Sequence, residues 1–339
     1  METLDLAAVE ARCAPLLEAA AAQDFHLAGW WWRSMQAACL PENTTARFLL
    51  HSENGAPVCL LPILANHHAE TLTGPYTCRY QPLFAPNTPE AAITRAARAF
   101  APALRQGVFR LDALDPEAPW LPPFLAGLRA AGLVPLRFEH FGNWHEPIAG
   151  RSWATYLAAR GGALRETVRR KLKRSGDTIF RIVTGGEDLE PAIAGYEDVY
   201  ARSWKVPEPF PRFNATMMRE AAAAGTLRLG LLASGETVIA AQIWIVANGA
   251  AMVTKLGHDE AFKPLSPGTV LTARMIQHFI DTEAVRELDF GRGDDPYKQL
   301  WTTQRRPRIG YLLANPWRPA GALALARHVA GRLRHALSR

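Results

Sequence analysis

The stretch KLGHDEAFKPLSPGTVLTARMIQHFI, residues 255–280, predicts a β-strand, a loop ending in Ser266-Pro267-Gly268-Thr269, and an amphipathic helix. The first turn of a helix carries unpaired backbone N–H groups and a partial positive charge, so it suits a pyrophosphate. Gly268 would let a phosphate approach the backbone closely, and Thr269 could add a hydroxyl donor. Ser-Pro-Gly before a helix is also a common cap, so the turn alone is compatible with both interpretations.

A second informative stretch, LDFGRGDDPYKQLW at residues 288–301, predicts a short strand followed by a short helix. Asp294 or Asp295 is suited to cap that helix. Capping explains one of the two acids but leaves Arg292 and Lys298 for another role. Polar residues that follow two successive strands are what a ligand crevice at the edge of an α/β sheet supplies.

The length and the termini narrow the class of protein. A chain of 339 residues is comfortable for two domains, and its composition, 48% hydrophobic and 21% charged, is ordinary for a globular protein. No apolar run approaches the roughly 20 residues of a membrane span. The acidic, helix-like start, with a first helix predicted over about residues 5–22, lacks the features of a signal peptide. We therefore expect a cytoplasmic protein.

The four cysteines predict no metal site. Cys13, Cys39, Cys59 and Cys78 form no CxxC pair and have no histidine cluster near them at zinc-ligand spacing. We expect buried free thiols.

Positive charge is concentrated in two places. Residues 160–174 contain seven cations against Glu166 alone, and no acid follows Asp295. Arg165 and Arg169 lie four residues apart and could hold cofactor phosphates or an acidic acceptor. Clustered cations favour an anionic partner, namely a phosphorylated cofactor, a nucleic acid or an anionic lipid surface, although a solvated basic face is an equal alternative for each cluster. Nucleic acid is disfavoured, because interleaved aromatic residues and DNA-binding motifs are absent.

The order of predicted elements suggests two α/β lobes. Residues 47–65 predict a hairpin about Glu53-Asn54-Gly55, and residues 227–247 predict a second hairpin in the other half of the chain. Each hairpin is accompanied by alternating helices and strands. We place an N-terminal lobe at 1–150, a C-terminal lobe at 151–315 and a terminal helix at 316–339.

Four segments in this order carry a family resemblance. They are the Trp-led, arginine-rich helix at 153–174, kinked at Gly161-Gly162, the hairpin at 227–246, and the stretches at 255–271 and 288–301. The combination closely resembles the CelD-like acyltransferases, relatives of FemX-type transferases in the GNAT superfamily. The resemblance covers about residues 150–311, and the first lobe matches only in general layout. His258 departs from the family, since relatives commonly carry tyrosine there.

The resemblance implies two tandem GNAT-like lobes of the α/β class, with mixed, mostly antiparallel sheets flanked by helices. The donor would be acyl-CoA or a related thioester, the acceptor an amine, and no metal would be required. Strands 250–258 and 286–290 would splay apart, so that acyl chain and nucleophile meet in the gap of the second lobe. The pyrophosphate would rest on Ser266, Pro267, Gly268, Thr269 and Val270.

The reaction's needs suggest the catalytic residues. An amine attacks only when neutral, so a base must accept its proton, and a donor must stabilise the oxyanion. His258, with an ordinary pKa of about 6.5, is the first choice as base, and Asp259 is the alternative. Lys298 fits oxyanion or phosphate stabilisation, and Arg292 fits either role. Asp289 is predicted to orient Arg292 or Lys298.

The C-terminal segment predicts an amphipathic helix. One face contains Leu325, Val329, Leu333 and Leu337. The opposite face contains Arg327, His328, Arg332, Arg334, His335 and Arg339. Preceded by Trp317, such a helix suits an anionic lipid surface, here the inner face of the membrane. A terminal helix packed on the lobe is the equal alternative.

A membrane-bound enzyme would have a natural acceptor in an amino-lipid, such as the sphingoid base of ceramide formation. The alternatives are acylation of a polysaccharide or amino sugar, FemX-like transfer from aminoacyl-tRNA, and a non-catalytic accessory role in envelope polysaccharide export.

Overall fold

The computed structural model describes residues 1–65, 70–174 and 177–337, which form thirteen strands and twelve α-helices. The strands are β1 Glu2–Leu4, β2 Thr45–Glu53, β3 Ala56–Ala65, β4 Glu70–Thr71, β5 Leu83–Phe84, β6 Val108–Leu114, β7 Val134–Pro147, β8 Thr178–Val183, β9 Leu227–Ser234, β10 Thr237–Ala247, β11 Ala250–His258, β12 Glu287–Arg292 and β13 Gln304–Ala314. The helices are α1 Leu6–Arg12, α2 Ala14–Ala21, α3 Gly29–Ala38, α4 Glu90–Leu104, α5 Leu121–Ala130, α6 Trp153–Ala158, α7 Gly162–Arg174, α8 Leu189–Ala201, α9 Phe213–Ala223, α10 Pro267–Asp281, α11 Pro296–Trp301 and α12 Pro319–Leu337. Short 3₁₀ helices occupy Phe25–Leu27 and Glu260–Leu265.

The chain divides into two compact units. The first comprises Met1–Gln36, Leu40–Phe141 and the chain from Pro307 onward, and the second comprises Ala37–Cys39 and Gly142–Arg306. The predicted boundaries at 150 and 315 each lie nine residues after the segment ends at Phe141 and Arg306. The cause is strand pairing: β7 continues beyond Phe141 to pair with β12, and β13 pairs with β6.

The first unit contains the sheet β1-β2-β3-β4-β6-β13, with β5 beside β3. Its strand pairs are antiparallel except β4 with β6. The predicted hairpin is confirmed: Asn54 and Gly55 join β2 and β3 with positive φ angles of 51° and 78°, the conformation that a tight hairpin turn requires.

The predicted first helix is wrong in one respect, because it is broken into α1 and α2. Cys13 lies between them and its N–H bonds to the carbonyl of Val9. Pro15 then occupies the first turn of α2, where a missing N–H costs nothing. All four cysteines of the chain are buried free thiols, as expected.

The second unit contains the sheet β7-β12-β11-β10-β9-β8. Its strand pairs are antiparallel except β11 with β12, so the prediction of mixed, mostly antiparallel sheets is confirmed. Helix α10 packs through Leu271, Met275 and Phe279 on a core that includes Trp244 and Phe290. The predicted kink after the Trp-led helix is also present, since α6 ends before Gly161 and α7 begins at Gly162.

The predicted splay between two strands is present in this second sheet. Strand β11 runs parallel to β12 with paired residues from Ala250 to Met252. It then continues to His258, while β12 continues from Asp289 to Arg292. The carboxyl ends of these two strands therefore carry the residues that the sequence singled out as candidates for chemistry.

Candidate functional site

The first turn of α10 is not capped by a side chain. Ser266 occupies the N-cap position in the left-handed conformation, with φ 54°, and its hydroxyl makes no capping hydrogen bond to the helix. Pro267 follows at the first helical position and has no N–H to satisfy. The interpretation of Ser266 as an ordinary side-chain cap is thus wrong, and the helix terminus keeps its positive partial charge.

His258 lies directly against this turn. A β-carbon added to Gly268 would come within 3.2 Å of Nδ1 of His258. The imidazole is half-buried, and its ring centroid lies 4.4 Å from that of Trp204. Its Nε2 lies 3.4 Å from the carboxylate of Glu260. The lack of a side chain at Gly268 therefore lets the imidazole approach the helix terminus.

The environment of His258 favours its neutral form. Burial lowers the pKa of the imidazole, Glu260 acts in the opposite direction, and Lys263 and Lys205 lower it further. The positive end of a helix acts in the same direction as the two lysines. A histidine with a lowered pKa is neutral at pH 7 and can accept a proton.

Asp259, the alternative base, has both carboxylate oxygens engaged. It is buried, and one oxygen accepts the N–H of Ala261 at 2.9 Å. The other forms an ion pair with Arg202, which also bonds to Asp198 and to the carbonyl of Val238. These contacts hold the turn that follows β11.

At the end of β12, Gly291 and Gly293 have positive φ angles of 68° and 98°, which turn the chain sharply before α11. Lys298 reaches back from α11 and donates to the carbonyl of Arg292. The side chain of Arg292 is exposed. Asp295 caps α11 by accepting the N–H of Tyr297. The two predicted cations are thus brought together at one turn.

Asp289 has partners that the sequence did not suggest. Its carboxylate accepts the amide of Asn143 and the N–H of Gly291, each at 2.7 Å, and forms an ion pair with Arg306. The expectation that Asp289 orients the side chains of Arg292 or Lys298 is replaced by a role in fixing the backbone of the turn.

A buried polar network, which the sequence patterns did not indicate, connects the two ends of the site. Gln242, on β10, donates to the hydroxyl of Thr272 at 2.5 Å, and Tyr297 shares a 2.6 Å hydrogen bond with that hydroxyl. Thr272 in turn donates to the carbonyl of Gly268 at 2.9 Å. Burial raises the pKa of Tyr297 to about 12, so its hydroxyl keeps its proton. A single glutamine in the apolar run TVIAAQIWIVA (237–247) was the available signal.

The cations of α7 are divided between two environments. Arg169 is 78% exposed and pairs with Glu166, while Arg165 is exposed and lies 3.5 Å from the carbonyl of Ala158. Lys171 donates to the carbonyl of Pro264, in the loop before α10. The groove beside this contact is lined by Lys171, Arg174, Thr178, Leu232, Ile239, Leu265, Pro267 and Val270. Two cations that the sequence did not select thus lie next to the start of α10.

The C-terminal helix leaves apolar side chains in solvent. Trp317 is 88% exposed, Leu323 is 51% exposed and Val329 is 55% exposed. The predicted face residues Leu333, Leu337, Arg332, Arg334, His335 and Arg339 lie outside the residues whose side chains are described. Among the described helices, none combines the length and the apolar character that crossing a membrane demands. The described part of the chain likewise contains no group of three or more metal-ligating side chains.

Comparison with known proteins finds one family model that matches the part of the chain containing this site. Residues 163–299 match the family model of the acetyltransferase (GNAT) domain. The GNAT match runs from α7 into α11 and therefore includes His258, the start of α10 and Lys298. No curated protein sequence matches the chain.

Solved structures extend the likeness over both units. The crystal structure of FemX superposes with a TM-score of 0.59 at 12% identity, covering 93% of this chain and 98% of that one. The C-terminal domain of a putative lysylphosphatidylglycerol synthetase from Agrobacterium fabrum gives 0.56 at 14% identity, with 95% and 96% covered. A tandem GNAT protein from the clavulanic acid biosynthesis pathway gives 0.52 at 13% identity, with 94% and 99% covered. At these identities the likeness shows the fold, and the tandem GNAT arrangement agrees with two lobes.

Replacing Thr272 by valine should destabilise the second unit. The substitution keeps the shape of the side chain but leaves the Gln242 amide and the Tyr297 hydroxyl without this partner. Each buried polar group left unpaired costs about 1–3 kcal/mol of unfolding free energy. Thermal unfolding measures the effect, and Thr237→Val, at the exposed first residue of β10, is the matched control. Equal melting temperatures for the two variants would contradict the proposed importance of the network.

Proposed function

We propose that the second unit transfers an acyl group from a thioester, acyl-CoA being the best candidate, to a neutral amine. The observation that carries this proposal is the contact between His258 and the uncapped first turn of α10. One position thus combines a group suited to accept a proton with a helix terminus suited to bind an anion. The GNAT match over residues 163–299 supports acyl transfer as the type of reaction.

The donor's pyrophosphate would bind at the first turn of α10. The N–H groups of Gly268 and Thr269 supply donors there, and Ser266 and Thr269 supply hydroxyls. The N–H of Val270 bonds to the carbonyl of Ser266 at 3.1 Å, so Val270 would line the turn without donating to the phosphate. Lys171, already bonded to the loop before α10, would add a positive charge beside the turn. Arg165 and Arg169, one turn apart on α7, would serve phosphates further from the helix terminus or an acidic acceptor.

The chemistry would take place between the ends of β11 and β12. The amine attacks the thioester carbonyl, and His258 accepts its proton, with Glu260 stabilising the imidazolium. Lys298 and Arg292 would stabilise the oxyanion of the tetrahedral intermediate. Collapse of that intermediate would break the C–S bond, and the leaving thiolate would take the proton from the imidazolium and depart as a thiol. Asp259 is the weaker candidate for the base, because it would have to give up Ala261 N–H or Arg202 to accept a proton.

Replacing His258 by alanine should lower kcat by about 10²–10⁴-fold and change the Kd for CoA far less. The pKa of His258 is lowered, so the wild-type rate should fall with acid only below pH 6.5, the ordinary value for histidine. That acid limb should disappear in the variant. Steady-state kinetics over about pH 5–9, a range that spans the titration of histidine, measures both effects.

The matched control is His278→Gln, which removes a histidine at the other end of α10, where it bonds to Glu283. It should keep the acid limb. A His258→Ala enzyme with near-normal turnover would move the base to Asp259 or to solvent.

Replacing Lys171 by glutamine should weaken CoA binding about tenfold, equivalent to about 1.4 kcal/mol, because a cation beside the phosphates is lost. Arg169→Gln removes the same charge from an exposed, paired side chain and should change the Kd less. Isothermal titration calorimetry with CoA compares the two. A larger loss for Arg169→Gln would assign the phosphates to the Arg165–Arg169 row. No CoA binding by the wild-type protein would favour another donor, including aminoacyl-tRNA.

We further propose that the acceptor is an amino-lipid, such as a sphingoid base, reached from an anionic membrane surface. Support comes from α12 and the two residues before it: Trp317, Leu323 and Val329 are exposed, beside exposed Arg318 and Arg327. Apolar side chains in solvent next to cations suit the interface of a bilayer. The competing proposals are acylation of an amino sugar or a polysaccharide, and an accessory role in polysaccharide export. Acceptor assays distinguish these proposals from acylation of an amino-lipid.

The triple substitution Trp317→Ser, Leu323→Ser, Val329→Ser should abolish sedimentation with phosphatidylglycerol vesicles and leave the melting temperature unchanged. Exposed apolar side chains contribute burial in the interface, and salt should weaken the remaining attraction of the cations. The control is Ala322→Ser, Ala326→Ser, at exposed positions of the same helix. Wild-type protein that fails to sediment at low salt would contradict the membrane proposal, and with it the preference for a lipid acceptor.

A further inference from the structure

A segment to which the proposed mechanism gives no role lies beside the candidate base. Residues 203–208 (the Trp204 segment) have the sequence SWKVPE and lie between α8 and α9. The indole of Trp204 contacts the imidazole of His258, with ring centroids 4.4 Å apart and the ring planes inclined at 48°. An amine that gives its proton to this imidazole therefore lies close to the indole.

Two ion pairs hold the Trp204 segment against the end of β11. Before the segment, Arg202 pairs with Asp259, the residue that follows β11. At its last residue, Glu208 accepts a hydrogen bond from Lys255 of β11 at 2.6 Å. The segment is thus fixed at both ends to the strand that carries the candidate base, and its indole is held in one place.

The large side chains that the segment presents to solvent are apolar. Trp204 is 49% exposed and Val206 is 82% exposed. Pro207, which follows them, is exposed as well. Apolar side chains that an anchored segment keeps in solvent beside a polar site are typical of a surface that contacts a ligand.

The polar side chains of the segment are engaged in holding it. Ser203 donates to the carbonyl of Tyr200 at 2.7 Å and accepts the N–H of Lys205 at 3.3 Å. The ammonium group of Lys205 lies 5.1 Å from the centroid of the Trp204 ring, within cation–π distance. Glu208 accepts the hydroxyl of Tyr200 in addition to its bond to β11. Each polar side chain of the segment therefore already has a partner.

This division of side chains indicates the chemical class of the acceptor. The hydroxyl groups of a sugar need polar partners when they are taken out of water. An alkyl chain needs only apolar surface, and each methylene group that it buries favours binding. The surface formed by Trp204 and Val206 therefore suits an amine that carries an alkyl chain.

We propose that Trp204 and Val206 bind the alkyl chain of the acceptor and thereby select long-chain amines over amino sugars. The proposal rests on the proposed function, because it places the amine at His258. Trp204 contacts the carbons nearest the amine, since it touches the candidate base, and Val206 enlarges the apolar surface. The exposed residues of α12 belong to the other unit, so they support a lipid acceptor independently.

The test measures the affinity of the full-length protein for decylamine by isothermal titration calorimetry, with no thioester donor present. Trp204→Ser should weaken this binding about tenfold or more, because the chain loses the apolar surface nearest the amine. Trp204→Phe keeps an apolar ring and should recover most of the affinity. Val206→Ser changes a side chain that is 82% exposed and should weaken binding without affecting the fold.

Ile179→Ser is the matched control, because it removes a 57% exposed apolar side chain from β8 and should leave the affinity unchanged. The triple variant of Trp317, Leu323 and Val329 should also bind decylamine normally, which excludes adsorption to α12. Trp204→Ser and Val206→Ser variants that bind decylamine as tightly as the wild type, or a wild type that does not bind it, would overturn the proposal. A loss of affinity for glucosamine but not for decylamine would overturn it too, since the indole would then bind a sugar.

NMR of the His258 ring locates the bound amine and distinguishes two kinds of failure. Decylamine should shift the imidazole resonances in the wild type, and much less in Trp204→Ser at the same concentration. Bound decylamine that leaves these resonances unchanged would overturn the placement of the chain beside the base. Decylamine binding by a protein that binds no CoA would contradict acyl transfer from CoA and would still support the chain-binding site.

Discussion

The candidate site depends on the contact between the imidazole of His258 and the first turn of α10 at Gly268. A β-carbon at residue 268 would lie 3.2 Å from Nδ1 of the histidine, closer than most such contacts, so glycine allows the contact without a shift of the imidazole. It persists because α10 is fixed on the sheet by its buried apolar face and by the Gln242–Thr272–Tyr297 network. A histidine kept neutral by burial and an uncapped helix terminus are thereby held together, and acyl transfer from a phosphorylated thioester needs both.

Local sequence patterns were sufficient to predict several elements of both units. The hairpin at Asn54-Gly55, the amphipathic α10 and the break before α7 all depend on neighbouring residues, and all are present. One prediction failed, and one of two open interpretations proved wrong, because each depended on a single local cue. The first helix is broken at Cys13, before Pro15, and Ser266 adopts the left-handed conformation instead of capping α10 with its side chain.

Long-range pairings could not be read from the sequence. Asp259 and Arg202 are 57 residues apart, and nothing in either segment indicates that they form an ion pair that occupies a candidate base. Lys171 and Arg169 look alike on the predicted helix, yet only packing decides which of them meets the loop before α10.

The most direct test of the account is a measurement of the protonation of His258 in the folded protein by NMR of its ring nitrogens, with and without CoA. The account predicts that the imidazole titrates below pH 6.5 and that its resonances shift when CoA binds, because the donor phosphates would occupy the adjoining turn of α10. An imidazole that titrates above pH 6.5, or whose resonances are unchanged by bound CoA, would contradict it.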